Sequence, residues 1–199
     1  MQAFYFSADD KKLRYGDNRQ IRKGRTHKVK GEPVLCEHGL HASERLIDAL
    51  SYAPGGHLWL AKLGGSIVQG DDKLCATERT YIDGFNADKL LREFARKQAL
   101  INIEKIKGYC SKTDYNIITR WLTTGDIKLR SAARSAAESA ARSAAESAES
   151  AAWSAAWSAA GPAARSAAWS AAESAESAAW SAANDMLTKM VKEATGWDI

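Results

Sequence analysis

Cysteine and proline are scarce in this chain of 199 residues, three of each. Cys36, Cys75 and Cys110 are odd in number and far apart, which fits free thiols in a reducing compartment and excludes a disulfide framework. No run of about 18 apolar residues occurs, so no helix that spans a membrane is expected. The start, "MQAFYFSADDKK", lacks the basic, apolar and small-residue segments of a secretory signal, and the expectation is a soluble cytoplasmic protein. Neither sign of charge dominates: 28 Lys and Arg face 24 Asp and Glu, a net +4, milder than a nucleic-acid-binding domain shows. The phosphate-cradling P-loop, the dinucleotide-binding glycine fingerprint, the His-Glu-x-x-His pair and the Gly-x-Ser-x-Gly elbow are all missing, so no cofactor is expected.

What the chain does have in excess is alanine, concentrated between Ala132 and Ala183. Alanine buries little apolar area per residue, so a compact core must come from elsewhere. Residues 1–84 supply it, with an α+β pattern of mainly antiparallel strands. "AFYF" (Ala3 to Phe6) reads as a strand, "EPVLCEHGLHAS" carries a second apolar run, and "GGHLWLAKLGGSIVQGDDK" alternates apolar and polar residues. Between them "SERLIDALSY" predicts a short helix with Ser43 as its cap and Leu46, Ile47 and Leu50 on its inner face.

Residues 85–125 change to a helical period. Leu90, Leu91, Phe94 and Ile101 form one stripe behind an Asn86 cap, and Ile117, Ile118, Trp121 and Leu122 form another that ends near Gly125. Both stripes read as core covering the sheet. Residues 126–183 form an arm that repeats Ser-Ala-Ala-x, with Arg134, Glu138, Arg142 and Glu146 and then Trp153 and Trp157 in the fourth place. High helix propensity and Arg–Glu pairing at i,i+4 make this segment helix.

"AAESAESAAWSAA" occurs twice, from Ala144 and from Ala171, about seven and a half helical turns apart, so in one straight helix the copies would face opposite ways. Gly161 and Pro162 between them favour a helical hairpin, with one long helix kinked at Pro162 as the rival. Trp153, Trp157, Trp169 and Trp180 are the large apolar groups of this arm and its expected interface, either with a second copy or partner or with the chain's own N-terminal domain. Residues 184–199 return to an ordinary amphipathic helix with Met186, Leu187, Met190 and Val191, stopped near Gly196.

Candidate chemistry lies before residue 84. "NRQIRKGRTHKVK" holds Arg19, Arg22, Lys23, Arg25, Lys28 and Lys30 with no acid among them. It reads either as a solvated hairpin loop or as a strip that attracts an anionic partner. Without interleaved aromatics to stack bases, a nucleic acid is not the expected partner. Cys36, His38 and His41 have tight metal-ligand spacing, but a fourth ligand such as Cys75 would have to come from afar. A buried Cys36 beside a His41 hydrogen-bonded within its turn is preferred, and no metal is expected.

The stretch "PVLCEHGLHASERLIDALSYAPG" (Pro33 to Gly55), with "LRYGD" (Leu13 to Asp17) before it and "GDDK" (Gly70 to Lys73) after it, resembles an uncharacterised domain family of tailed phages, prophages and bacteria. Members of that family carry a Leu-Cys-x-x-Gly-[Leu/Phe]-His-Ala core, often followed by Ser/Ala/Trp/Arg/Glu repeats. The resemblance implies a phage or prophage accessory protein at work in the cytoplasm of a bacterial host, with counter-defence as the setting. It would bind a host protein or a small phosphorylated nucleotide through Arg14, Arg22, Lys23, Arg25, His41 and Tyr52, while the arm makes a homo-oligomer. "GLHASERLIDALSY" is also similar to the strand and helix that close the nicotinamide pocket of ADP-ribosyltransferases. That likeness implies an alternative enzyme using Arg14, His41, Ser43 and Glu78, although no second acid stands near Glu78. A purely structural assembly protein is the third alternative.

Overall fold

The computed structural model describes the backbone of residues 1–158 and 162–199 and the side chains of residues 1–144 and 177–199. The fold is α+β: an antiparallel sheet followed by helices. Two compact units divide the chain, Met1–Leu91 with Ala182–Ile199, and Arg92–Ser181.

The first unit is built on five strands, β1 (Gln2–Ser7), β2 (Thr26–Lys28), β3 (Leu40–Ala42), β4 (His57–Gln69) and β5 (Leu74–Asn86). β4 and β5 form a long hairpin, and β1 pairs antiparallel with the outer edge of β4. The outer edge of β5 is shared: β2 lies along Glu78–Thr80 and β3 along Leu74–Ala76. Just beyond β3, Ser43 exchanges backbone hydrogen bonds with Phe4 at 2.7 and 3.0 Å, so the sheet closes back onto its first strand. This bridge covers the middle of the outer edge of β1 and gives the sheet an inside.

That inside is aromatic and partly polar. Trp59, Tyr81, Leu13, Ile21 and Leu40 form one buried cluster, and Ala3, Ala42, Leu63, Leu74 and Ala76 another, with Tyr5 packed against both. Trp59 Nε1 donates to Ser7 Oγ at 3.0 Å, which satisfies the only polar atom of a ring buried to 4 % exposure. Gly84 makes room for it, since a β-carbon there would overlap the Trp59 ring.

Helix α1 (Leu46–Ser51) does not use the Ser43 cap. Its N-cap is Arg45 with no side-chain cap bond, because the helix starts at Leu46 and Ser43 lies two residues before the cap, its backbone bridged to Phe4. The amphipathic C-terminal segment is the end of the helix α5 (Pro162–Thr195), stopped by Gly196 in the left-handed conformation (φ 71°). Leu187, Met190 and Val191 are buried there, Asn184 Oδ1 accepts from the Ile47 N–H at 3.2 Å, and Trp197 Nε1 donates to Asp83 at 3.1 Å.

Helix α2 (Asp88–Ile101) begins where Asn86 Oδ1 accepts from the Asp88 N–H at 2.9 Å. Its stripe is shorter than expected: Phe94 is buried, but Ile101 is 62 % exposed, because the helix gives way there to a 3₁₀ segment, Ile103–Tyr109. In the second unit, helix α3 (Lys112–Thr124) is capped by Ser111, which accepts from the Asp114 N–H, and ends at Gly125 with φ 68°. Ile118 and Leu122 of α3 pack with Ala136 of helix α4 (Arg130–Ser158). The turn that distinguishes a hairpin from a kinked helix, 159–161, lies outside the described residues. Among the described residues no helix is long and apolar enough to cross a membrane.

Candidate functional site

The basic strip is organised by the sheet and is not a loop throughout. Its centre is strand β2, where Thr26, His27 and Lys28 pair with Thr80, Arg79 and Glu78. Acids from other segments neutralise part of it. Arg19 grips Asp17 through Nε and Nη2 at 2.6 to 3.0 Å and donates through Nη1 to the Lys28 carbonyl at 3.0 Å, which fastens the preceding loop to the strand. Those hydrogen bonds from Arg19 hold the Asp17 carboxyl below its ordinary range. Lys23 pairs with Asp83 at 3.0 Å and Lys28 with Glu78 at 2.6 Å. Arg22, Arg25 and Lys30 are exposed and, among the described residues, have no acidic partner.

Beneath this edge lies a buried polar chain. Arg79 is 2 % exposed on β5, and its guanidinium stacks 3.6 Å from the centroid of the Tyr5 ring. Nε and Nη2 donate to the Tyr81 hydroxyl at 3.0 and 2.8 Å, and Nη1 donates to the His41 carbonyl. Among the described residues no carboxylate pairs with Arg79. The Tyr81 hydroxyl also lies 3.3 Å from His27 Nδ1. His27 is 1 % exposed, and burial, with the positive charges of Arg19, Arg25 and Arg79 around it, disfavours its imidazolium form. Its Nε2 has no hydrogen-bond partner among the described residues.

A second polar cluster surrounds the Leu35–Ala42 motif. His41 Nε2 accepts from the Cys36 N–H at 3.1 Å, so His41 is hydrogen-bonded within its turn as expected, and burial keeps it neutral. Cys36 itself is exposed, not buried, on a turn where its φ is 67°, and the buried thiol is Cys75. Burial pushes the Cys75 thiol up, and all three cysteines are free. Tyr52 donates to Asp72 and accepts from Lys73 at 3.1 Å. Hydrogen bonds to the Tyr52 hydroxyl and then to Cys36 hold the Lys73 ammonium above its ordinary range. The shallow cleft next to this cluster is lined by Glu44, Asp48, Asp71 and Asp72 as well as Arg45 and Lys73, an acidic wall that disfavours an anion. No group of three or more His, Cys, Asp or Glu among the described residues is arranged to hold a metal ion.

The residues expected to act are thus distributed over the unit. The guanidinium that reaches His41 is that of Arg79; Arg14 is exposed on its own turn, where its carbonyl accepts from the Asp17 N–H at 3.3 Å. Glu78 is engaged by Lys28, and Ser43 is buried in the bridge to Phe4. Trp180 is 44 % exposed; Trp153, Trp157 and Trp169 lie outside the residues whose side chains are described. The residues of this chain, Arg79, Tyr81, Tyr5 and His27, are not among the candidates named from the sequence. One signal for them was present: "ERTYI" places Arg79 and Tyr81 two apart on a strand, hence on one face.

Residues 7–93 match the family model described as a domain of unknown function, DUF7666. No curated protein and no solved structure matches the chain.

Proposed function

We propose that this protein is a phage or prophage accessory protein that binds an anionic host component, an acidic protein surface or a phosphorylated nucleotide, along the β2 edge. The Ala/Ser/Trp arm mediates self-association or enlarges the contact with the target. The observation that carries the binding role is the division of the strip: Lys23, Lys28 and Arg19 are tied down by acids, while Arg22, Arg25 and Lys30 stay exposed and without an acidic partner on a strand-anchored edge. Exposed cations that flank a sheet strand and have no acidic partner of their own keep their charge for attraction and orientation of an anionic partner. The phage setting and a role in counter-defence rest on the resemblance of the Leu35–Ala42 motif.

Binding is favoured over glycosyl transfer because Glu78, the acid such a reaction needs, is held by Lys28 at 2.6 Å. Native mass spectrometry of the full chain purified gently from cells tests both halves. A multiple of 21.6 kDa supports the assembly role, and an added anionic ligand that disappears in Arg22→Glu/Arg25→Glu supports the strip. A bare monomer, with a spectrum that the double reversal leaves unchanged, overturns both.

A further inference from the structure

Residues 11–21 fold back on themselves ahead of strand β2. The Ile21 N–H donates to the Lys11 carbonyl at 2.7 Å and the Leu13 N–H to the Arg19 carbonyl at 3.0 Å, and Leu13 and Ile21 are buried in the aromatic cluster. Arg19 ties the returning limb to Asp17 and to the Lys28 carbonyl of β2, so the tip, Arg14–Asp17, is braced beside the binding edge. Its two central residues, Tyr15 and Gly16, have φ of 59° and 84°, and the Asp17 N–H donates to the Arg14 carbonyl. A turn with positive φ at both central positions favours Asn-Gly or Asp-Gly, because a short polar side chain tolerates the left-handed region and a bulky one does not. Tyr15 breaks that preference and gains no burial in return: it is 102 % exposed and takes part in no hydrogen bond or ring contact among the described residues. Arg14 beside it is exposed and has no acidic partner among the described residues, and Asp17, the one acid of the tip, is occupied by Arg19.

We propose that Tyr15, with Arg14 beside it, is the anchor by which the β2 edge docks on a partner protein, in a recess that admits a phenol ring and is rimmed by carboxylates; this rests on that edge being the binding surface. A residue that breaks a local rule without a gain to the fold is accounted for by what it touches in a complex. Tyrosine and arginine carry much of the energy of protein interfaces, tyrosine because it buries a large rigid ring with few rotatable bonds. The backbone of the tip is already braced, so docking has only the Tyr15 and Arg14 side chains to order there. Shape decides against a nucleotide as the occupant. A small ligand needs a concave site that encloses it, whereas this tip protrudes and Tyr15 has no facing wall. Charge sets the rim, because Arg14 and the exposed Arg22, Arg25 and Lys30 of the same edge are complementary to carboxylates.

The probe is p-azidophenylalanine, close to tyrosine in shape, placed at position 15 of the full chain and photolysed in bacterial cells, with the same probe at the part-exposed Tyr109 of the other unit as control. Expected is an adduct of one discrete protein mass from position 15 and none from position 109. The captured protein is then purified and its binding to the full chain measured. Tyr15→Asn, the residue the turn itself prefers, weakens that binding by about thirtyfold or more and leaves the urea unfolding midpoint unchanged or higher. Arg14→Glu slows association, and added salt shrinks the difference. No discrete adduct from position 15, or an adduct with a nucleotide in place of a protein, overturns the proposal. So does a Tyr15→Asn chain that binds the captured protein as wild type does, or one that is less stable than wild type, since the ring would then serve the fold. An association rate that Arg14→Glu leaves unchanged overturns the carboxylate rim. If Arg22→Glu/Arg25→Glu abolishes binding while Tyr15→Asn does not, the edge stands and the anchor falls. If Tyr15→Asn abolishes it while the double reversal changes nothing, the anchor stands and the proposed role of the strip falls.

Discussion

The two units of this protein reach stability by different routes. In the sheet unit, buried positions carry large or polar side chains whose partners are distant in sequence: Trp59 with Ser7, Arg79 with the His41 carbonyl, Trp197 with Asp83. In the helical unit the buried positions of α4 among the described residues are alanines, Ala133, Ala136 and Ala140, and the larger groups against Ala136 come from Ile118 and Leu122 of α3. A contact between an alanine and a leucine is replaceable by many others of similar size. The Arg79–Tyr81–His27 chain is not, because each of its hydrogen bonds needs a donor and an acceptor in particular places. Specific chemistry therefore accumulates in the sheet, and helix propensity is enough for much of the other unit.

The largest effect that would break this contrast is at the centre of the sheet. Trp59→Ala removes a buried ring and leaves the Ser7 hydroxyl without its donor; a loss of about 3–5 kcal/mol is expected in urea unfolding, read from exchange protection of the β4 and β5 amides. A loss under about 1 kcal/mol would show that the aromatic inside is not the organising centre.

Acid should act next. His27, His41 and His57 all have their imidazolium forms disfavoured, in each case mainly by burial, so the unfolded chain takes up protons before the folded one does. Stability is fully present above the ordinary histidine value of 6.5 and falls as the pH drops below it. Unfolding midpoints of the sheet amides across pH 5 to 8 check the sign, and a midpoint that rose toward acid pH would contradict the buried neutral state of these rings.

The smallest effect lies in the helical unit. Ser111→Ala deletes the cap of α3 and should cost about 1 kcal/mol, visible as faster amide exchange in the first turn of that helix. An unchanged rate would mean that tertiary packing, not capping, fixes where α3 begins.

Parts of this architecture were legible residue by residue. The "AFYF" strand, the glycine stop of α3 and the helical character of the Ser-Ala-Ala-x repeat follow from side-chain period and propensity, which are local properties. The site was much less so. Arg79 in "ATERTYI" looks like an ordinary surface cation, and only the register of β5 against β2 and β4 turns it inward. Cys36 looked like a core residue, but it stands exposed on a turn, and the buried thiol is Cys75. Ser43 looked like a cap, and a bridge to a strand almost forty residues earlier took its backbone.

By itself the sequence determined the α+β class, the helical character of the Ser-Ala-Ala-x repeat, and that a basic segment precedes the Leu35–Ala42 motif. Tertiary structure alone decided which basic residues are neutralised, which arginine is buried and which histidine nitrogen is left without a partner among the described residues. The physical reason is range. Backbone preference and side-chain period act over a few residues, whereas a charge or a proton is placed by whatever group the closed sheet brings within about 3 Å of it.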